Sequence, residues 1–255
     1  MCCHLSLLKK DYQAGGFKMS KITEAVFLAG GMGTRLQSVV KDVPKPMADI
    51  NGKPFLHYLI RFYARQGISH IVLSVGHLHK RIIDYFGDSY ETVRISYAVE
   101  NHPLGTGGAI SNALSYTETD NVFVVNADTM FKVDLEEISH FHKSKNADIT
   151  LVVRAVDDVS RYGSIVMDAA FGIRGFTEKN QDSGKGFING GVYLINRPFF
   201  NRFDFPEKFS VEKDFFEKHY KNNAFFAKVC PNYFIDIGIP EDYARAQKQF
   251  PVLFD

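Results

Sequence analysis

The sequence is short of cysteine, of long apolar runs and of charge of one sign. Two of its three cysteines, Cys2 and Cys3, are neighbours at the extreme N-terminus, and the third is Cys230. That excludes a disulfide framework and any zinc-ligand spacing, and fits a reducing, cytoplasmic setting. No run approaches the ~18 apolar residues of a membrane span, so no membrane partner is expected. Thirty basic residues face 29 acidic ones with no sustained basic run. This argues against nucleic acid as a partner, although a local basic pocket remains open. No Ser–His–Asp arrangement stands out, and the histidines do not cluster at metal-ligand spacing. His102 is the one histidine beside a suggestive loop, whereas His77, His79, His140 and His142 read as solvated. Internal repeats and low-complexity linkers are absent as well.

Residues 1–18 look unlike the remainder of the chain. Their stretch MCCHLSLLKK has no apolar run long enough for a signal peptide, and its lysines come after the apolar part. Met19 opens MSKITEAVFLAGG, a natural start for a folded unit. Residues 1–18 are therefore expected to be an extension: an upstream start, an expression remnant or a disordered tail. A short docked helix is the alternative. Residues 19–255 are expected to form a single domain.

Within that domain, short apolar runs alternate with helix-period segments. Expected strands are Glu24–Ala29, His70–Val75, Arg94–Val99, Asn121–Ala127 and Asp148–Ala155; expected helices are Pro54–Gln66, His79–Phe86, Gly107–Ser115 and Leu135–Ser144. Pro54 suits a first helical turn and Gly67 a stop. The alternation predicts an α/β fold built of βαβ units around a mainly parallel sheet. After about Ala155 the strand-like pieces GSIVMD, IRGFTE and FINGGVYLINR succeed one another with few helices between them. They read as a substrate-covering part added to the core.

Ligands of open α/β sheets sit beyond the carboxyl ends of the strands. The first strand ends in LAGGMGTRL (Leu28–Leu36), which matches neither G-x-x-x-x-G-K-[ST] nor G-x-G-x-x-G. Its glycines can still expose backbone N–H groups to a phosphate or base, with Arg35 as a guanidinium fork and Lys45 as a point charge. The third strand ends in Glu100 and PLGTGGA, the fourth in Asp128. Asp236 ends another apolar run, in FIDIGIPEDY. Two carboxylates at strand ends suit Mg²⁺, which takes one or two acids plus waters and substrate phosphates. The alternative for Asp128 alone is a cap of the next turn. Glu178–Lys179 alone reads as a surface ion pair, and the glycine pair after Asn189 implies a close backbone approach.

Taken in order, LAGGMGTRL, PKPM, PLGTGGA, NADT, FTEK, NGGVY and DIGIPEDY resemble the sugar-1-phosphate nucleotidylyltransferase family over essentially Ile22 to Phe250. Within it, SVVKDVPKPMADINGKPFL and SRYGSIV are most similar to the D-glycero-α-D-manno-heptose 1-phosphate guanylyltransferases of bacterial surface-polysaccharide pathways. The resemblance implies a Rossmann-like core with a mixed sheet and helices on both faces. It also implies condensation of a nucleoside triphosphate, here GTP, with a sugar 1-phosphate and release of pyrophosphate. Leu28, Ala29, Gly30, Gly31, Gly33 and Thr34 would line the nucleotide, Arg35 and Lys45 would hold the triphosphate, and Glu100, Gly105 and Thr106 would meet base and ribose. Asp128 and Asp236 match the family's Mg²⁺ ligands. Gly163, Glu178, Lys179, Asn189 and Gly190 match its sugar-phosphate side. NAD stands where many relatives read GD, so Asn126 replaces nothing chemical.

Glu100 bears on the base. A carboxylate can accept both N1–H and N2–H₂ of guanine, whereas uracil and thymine offer one donor between two carbonyls. Alternatively, Glu100 only satisfies backbone N–H groups of its own loop. Other base and sugar choices within the family stay open: mannose 1-phosphate, or thymidylyl and uridylyl transfer. A metal-dependent glycosyltransferase would show paired aspartates where this chain has Asn126 and Asp128, and a non-catalytic sugar-nucleotide sensor should have lost a cation or an acid that is present here. A homo-oligomer is compatible with the sequence.

Overall fold

The structure, a computed structural model, describes residues 21–31, 43–160, 163–177 and 184–254. The expected extension, together with Gly33, Thr34, Arg35, Glu178 and Lys179, lies outside the described residues.

The first strand, β1 (Glu24–Leu28), is buried from Glu24 to Phe27. A hairpin of β2 (Asp49–Ile50) and β3 (Lys53–Pro54) leads into α1 (Phe55–Ala64). Pro54 stands just before that helix, and Gly67 turns the chain beyond it at φ +98°, a conformation that favours glycine. Next come β4 (His70–Val75), α2 (His79–Phe86), β5 (Ser89–Tyr90), β6 (Val93–Val99) and α3 (Gly105–Leu114). They are succeeded by β7 (Asn121–Asn126), β8 (Thr129–Phe131), α4 (Leu135–Ser144) and β9 (Ile149–Val156). The strand-rich part holds β10 (Ser164–Met167), β11 (Ile173–Thr177) and the long β12 (Gly186–Asn196), then α5 (Arg197–Phe200). A π-helical turn, Val211–Phe216, runs into α6 (Glu217–His219), and β13 (Phe225–Val229), β14 (Phe234–Asp236) and α7 (Pro240–Leu253) complete the chain.

Strand β1 pairs in parallel with β4 on one edge and β7 on the other, and β4 pairs in parallel with β6. The chain thus steps outward from β1 to β4 and β6, then returns to β1's far side. That reversal opens a crevice at the strands' carboxyl ends, between β1 and β7. Beyond β7 the long β12 runs antiparallel to both β7 and β9, and β13 runs parallel to β9. The pairing of β12 with β7 makes the strand-rich segment a continuation of the same sheet.

Side chains alternate between two cores. Phe27, Leu73, Phe123 and Leu194 face the side covered by α1, α2, α4 and α7. Val26, Val72, Val124 and Tyr193 face the side covered by α3, α5 and the π-helical turn. The layers are helix, sheet, helix, and the parallel strands, buried on both faces, read as continuous apolar runs.

Glu24 and His142 are among the polar groups buried in that interior. Glu24 opens β1 at the end opposite the crevice. Its Oε1 meets His70 Nδ1 at 2.7 Å, and its Oε2 accepts the backbone N–H groups of Glu118 (2.8 Å) and Thr119 (2.6 Å) and the Thr119 hydroxyl (2.8 Å). Burial raises the pKa of this carboxyl, but the four hydrogen bonds outweigh it and hold the group down at about 2.

His142 is a correction. Expected to be solvated, it is 3% exposed, with Nδ1 2.8 Å from Thr150 Oγ1 and Nε2 3.2 Å from Asn121 Oδ1. Leu135, Ile138 and His142 are the buried residues of α4 and fall on one helical face. The histidine takes a core position in the helix's apolar period and is satisfied there as the neutral ring. Burial, with Lys143 nearby, pushes its pKa down to about 4 from 6.5.

The neutral form is the one the fold favours. This contribution is therefore fully present above pH 6.5 and is lost as pH falls from there through about 4. Between pH 7 and pH 5 the protein should lose about 2 kcal/mol of stability through this residue. Urea unfolding at the two pH values should show that loss in the wild type and a much flatter response in His142→Gln.

Candidate active site

The strand ends converge as the doubly wound topology requires. Leu28 to Gly31 leave β1, Gly76 to His79 leave β4, Glu100 to Pro103 leave β6, and Asn126 and Asp128 leave β7; all line one cleft of about 1030 Å³. Its floor is Lys45, Asp128 and Asp236.

Asp128 and Asp236 lie 108 positions apart in sequence, and one short pairing joins them. β8 and β14 run antiparallel with Asp236 opposite Thr129, and Ile237 N–H donates to the Asp128 carbonyl at 3.1 Å. Into the gap reaches Lys45, from a 3₁₀ turn (Lys45–Met47). Its Nζ is 2.7 Å from Asp128 Oδ2 and 3.1 Å from Asp236 Oδ1. The lysine side chain is 11% exposed and those of the two acids 38% and 37%. Burial lowers the pKa of the Lys45 ammonium, but the two carboxylates overcome this and hold it above its usual value. Lys45 is therefore charged throughout the physiological range.

The same pair of acids fits Mg²⁺. The donors are hard carboxylate oxygens, both open to the cleft, and they already hold one cation in the form of the ammonium. No group of three or more histidine, cysteine or acidic side chains suited to a metal occurs among the described residues. Two protein carboxylates completed by waters and phosphate oxygens match magnesium's habits.

The opening glycines have separate jobs. A Cβ on Gly30 would stand 2.8 Å from Glu100 Oε1, so a side chain here would push the Glu100 carboxylate from its present place. Gly31 has no atom of the described residues within 4 Å of such a Cβ, and it lines the cleft. Glu100 is fixed from behind, its Oε1 accepting from the Ser74 hydroxyl at 2.9 Å and its Oε2 from Leu104 N–H at 3.2 Å. The loop-ordering role expected as the alternative for Glu100 is thus present. Each oxygen keeps a second lone pair, and the residue lines the cleft.

In the PLGTGGA segment, Gly105 and Thr106 line the cleft. A Cβ on Gly105, at φ +72°, would meet the Phe209 carbonyl at 2.5 Å, and one on Gly108 would run into the Glu207 carbonyl. The Thr106 hydroxyl donates to Glu212 Oε2 at 2.7 Å and accepts from Val211 N–H at 3.0 Å. Much of this glycine signal therefore serves close packing of residues 207–211 on α3.

Gly163, Asn189 and Gly190 are not among the residues lining the cleft. Asn189 Nδ2 donates to the Tyr193 hydroxyl at 2.8 Å, and its Oδ1 accepts from Gly191 N–H at 2.9 Å within a bulge of β12. Phe131 leaves no room for a Cβ on Gly190, and Gly191, at φ +69°, clears space for Asn126. Asn126 itself lines the cleft, as do His77 and His79. These two histidines lie just past the end of β4, the one strand end to which the sequence pattern assigned no role.

The family model for nucleotidyl transferases matches residues 24–251. The chain belongs to that family. It is 46% identical over 226 residues to a D-glycero-alpha-D-manno-heptose 1-phosphate guanylyltransferase of Aneurinibacillus thermoaerophilus, an alignment covering 89% of this chain and 97% of that protein. It is 41% identical over 220 residues to the Campylobacter jejuni subsp. jejuni protein of that name, covering 86% and 96%. Among solved structures, HddC from Yersinia pseudotuberculosis in complex with GMP-PN superimposes with a TM-score of 0.80 at 41% identity, over 90% of this chain and 100% of that one. The matched residues run from β1 into α7, so the cleft lies wholly within the family's common part.

The packing role of the α3 glycines has a sign that can be checked. In an ordinary helix Gly→Ala stabilises by up to ~1 kcal/mol. At position 108 the added methyl meets the Glu207 backbone, so Gly108→Ala should destabilise by roughly 1–3 kcal/mol in urea unfolding.

Proposed function

We propose that this protein transfers a guanylyl group from GTP to D-glycero-α-D-manno-heptose 1-phosphate, giving the GDP-sugar and pyrophosphate. The observation that carries this is in the cleft: a lysine held between two acids, in the same cavity as the bare glycine turn of β1. The names of the relatives at 46% and 41% identity supply the guanine and the heptose.

The chemistry asks for little acid–base work. A phosphate oxygen of the sugar 1-phosphate is an anion at neutral pH. It attacks the α-phosphorus, and the α–β bridging bond breaks with its electron pair leaving on pyrophosphate. No proton moves, so no general base is needed. What the protein must do is align two anions and offset the charge of the leaving one. Gly31 lets the backbone approach the nucleotide, and Lys45 supplies a positive charge within the cleft. Asp128 and Asp236 would hold Mg²⁺, which supplies charge neutralisation at the phosphates. By resemblance, Arg35 serves the triphosphate and Lys179 with Glu178 the sugar phosphate, with Gly163, Asn189 and Gly190 shaping that side.

Glu100, which accepts from Ser74 and Leu104, would accept from the guanine edge with its remaining lone pairs; its lining of the cleft supports this reading. Mannose 1-phosphate is the second sugar reading, favoured by a mannose-1-phosphate guanylyltransferase of Mycobacterium tuberculosis at 35% identity, of whose length this chain covers 63%.

A pyrophosphate-release assay crossing the four common nucleoside triphosphates with heptose, mannose and glucose 1-phosphates tests the assignment. GTP with the heptose substrate should give the highest kcat/KM, and a preference for a pyrimidine triphosphate would overturn the guanylyl reading. In the same assay Asp128→Asn should lose at least ~100-fold in rate, since several kcal/mol of charge stabilisation depend on the metal. Full wild-type activity in excess EDTA would rule out a catalytic role for magnesium.

Glu100→Gln separates base recognition from loop ordering. If the carboxylate reads guanine, GTP use should fall about 5- to 150-fold while UTP and dTTP hold or gain, by analogy with bidentate base readout. An equal fall for all triphosphates would leave Glu100 with the loop alone.

A further inference from the structure

We propose that Lys45 occupies the cation position of the free protein, so that a divalent cation enters only together with a phosphate-bearing ligand that draws the ammonium away. This rests on the magnesium reading of Asp128 and Asp236 and adds to it an order of events and a role for the lysine before chemistry begins.

Three features point the same way. The ammonium is nearly buried and touches both acids, at 2.7 and 3.1 Å. A magnesium ion needs carboxylate oxygens at about 2.0–2.1 Å, and it could not take these oxygens while a positive charge stood between them. The chain has also cleared room for the lysine. A Cβ on Gly238 would lie 2.6 Å from Lys45 Nζ and 2.8 Å from Asp236 Oδ1, so the turn after β14 is bare where the ammonium docks.

The third feature is the anchoring of the lysine. Pro44 and Pro46 flank it, and the 3₁₀ turn is closed by the Met47 and Ala48 N–H groups. The backbone is fixed, while the four-carbon stem can turn about its own bonds. Lys45 lines the same cleft as Gly31 and Glu100, so a phosphate bound there offers the ammonium a second set of anionic oxygens.

Charge gives the order. Two carboxylates and one ammonium leave the floor with a net negative charge, which disfavours a bare polyphosphate. Bare divalent cation is opposed by the ammonium. A cation already paired with phosphates meets neither obstacle: the phosphates take the lysine and the acids take the cation.

The test uses Mn²⁺ as the probe, monitored by electron paramagnetic resonance on the full-length protein. The free wild type should bind Mn²⁺ weakly. Lys45→Met without nucleotide, and the wild type with a non-hydrolysable GTP analogue measured against the analogue alone, should each bind it at least about tenfold more tightly. In thermal unfolding, Lys45→Met should be destabilised in EDTA and rescued by Mn²⁺, with the free wild type indifferent to the metal. Equal Mn²⁺ affinity in Lys45→Met and the free wild type would overturn the proposal. So would a wild type that binds Mn²⁺ equally well with and without the analogue, a comparison that decides the matter even if the variant fails to fold. Either result alongside intact Mg²⁺-dependent pyrophosphate release defeats the lysine's role and leaves the activity standing. Absence of Mn²⁺ binding in every state defeats the metal reading itself.

Discussion

The pairing of β1 on both edges is the constraint on which the remaining structure depends. Its parallel register with β4 and with β7 brings three strand ends level, and the reversal of strand order between β4 and β7 leaves space above them. Backbone pairing of Ala29 N–H to Ser74 O (2.8 Å) and of Ala127 N–H to Leu28 O (3.1 Å) carries that alignment past the strands into the loops. Gly30, Glu100 and Asp128 are then placed by the sheet with little freedom of their own. A site held this way keeps its geometry without a ligand, which is what charge-stabilising catalysis needs.

At the opposite end of the same strands, Glu24 performs the complementary task. It binds His70 of β4 and the backbone of the turn that leads into β7. One carboxylate at the start of β1 thereby ties together both strands that flank it. Because its buried charge is matched by hydrogen bonds, it fixes the order of the strands without the penalty of an unpaired ion. The functional end, by contrast, keeps two acids partly open and shares one lysine between them. Glu24 and the Asp128–Lys45–Asp236 group thus differ by purpose: the first is fully hydrogen-bonded where it ties strands together, the second partly open where a ligand must be admitted.

Much of this was legible in the chain. The five long strands, α2 and α4 are implied by apolar periodicity, and the strand-end rule alone points to Leu28–Gly31, Glu100 and Asp128. Three things were not legible, each for a physical reason. Strand-end positions and the resemblance pair Asp128 with Asp236, but the strands that bring them together, β8 and β14, are three residues each, too short to show a period of two. The burial of His142 shows only when the residue is counted as the seventh after Leu135 on a helical face. The place of Asn126 in the cleft lining depends on Gly191, far along the chain in a bulge whose position sheet pairing decides.

The glycines show why residue type alone underdetermines function. A bare Cα marks a close approach and does not say what approaches. At Gly31 no described residue stands within 4 Å of an added Cβ, whereas at Gly30, Gly105, Gly108 and Gly190 the neighbour is the protein itself. Yet these packing glycines are not separate from the site. Gly30 makes way for Glu100, Gly105 holds the Phe209 backbone against the start of α3, and Gly238 makes way for Lys45 beside Asp236. Each puts a functional side chain or loop where a methyl group would have displaced it. A motif that resembles a ligand loop can thus be mainly internal packing and still determine where the ligand goes.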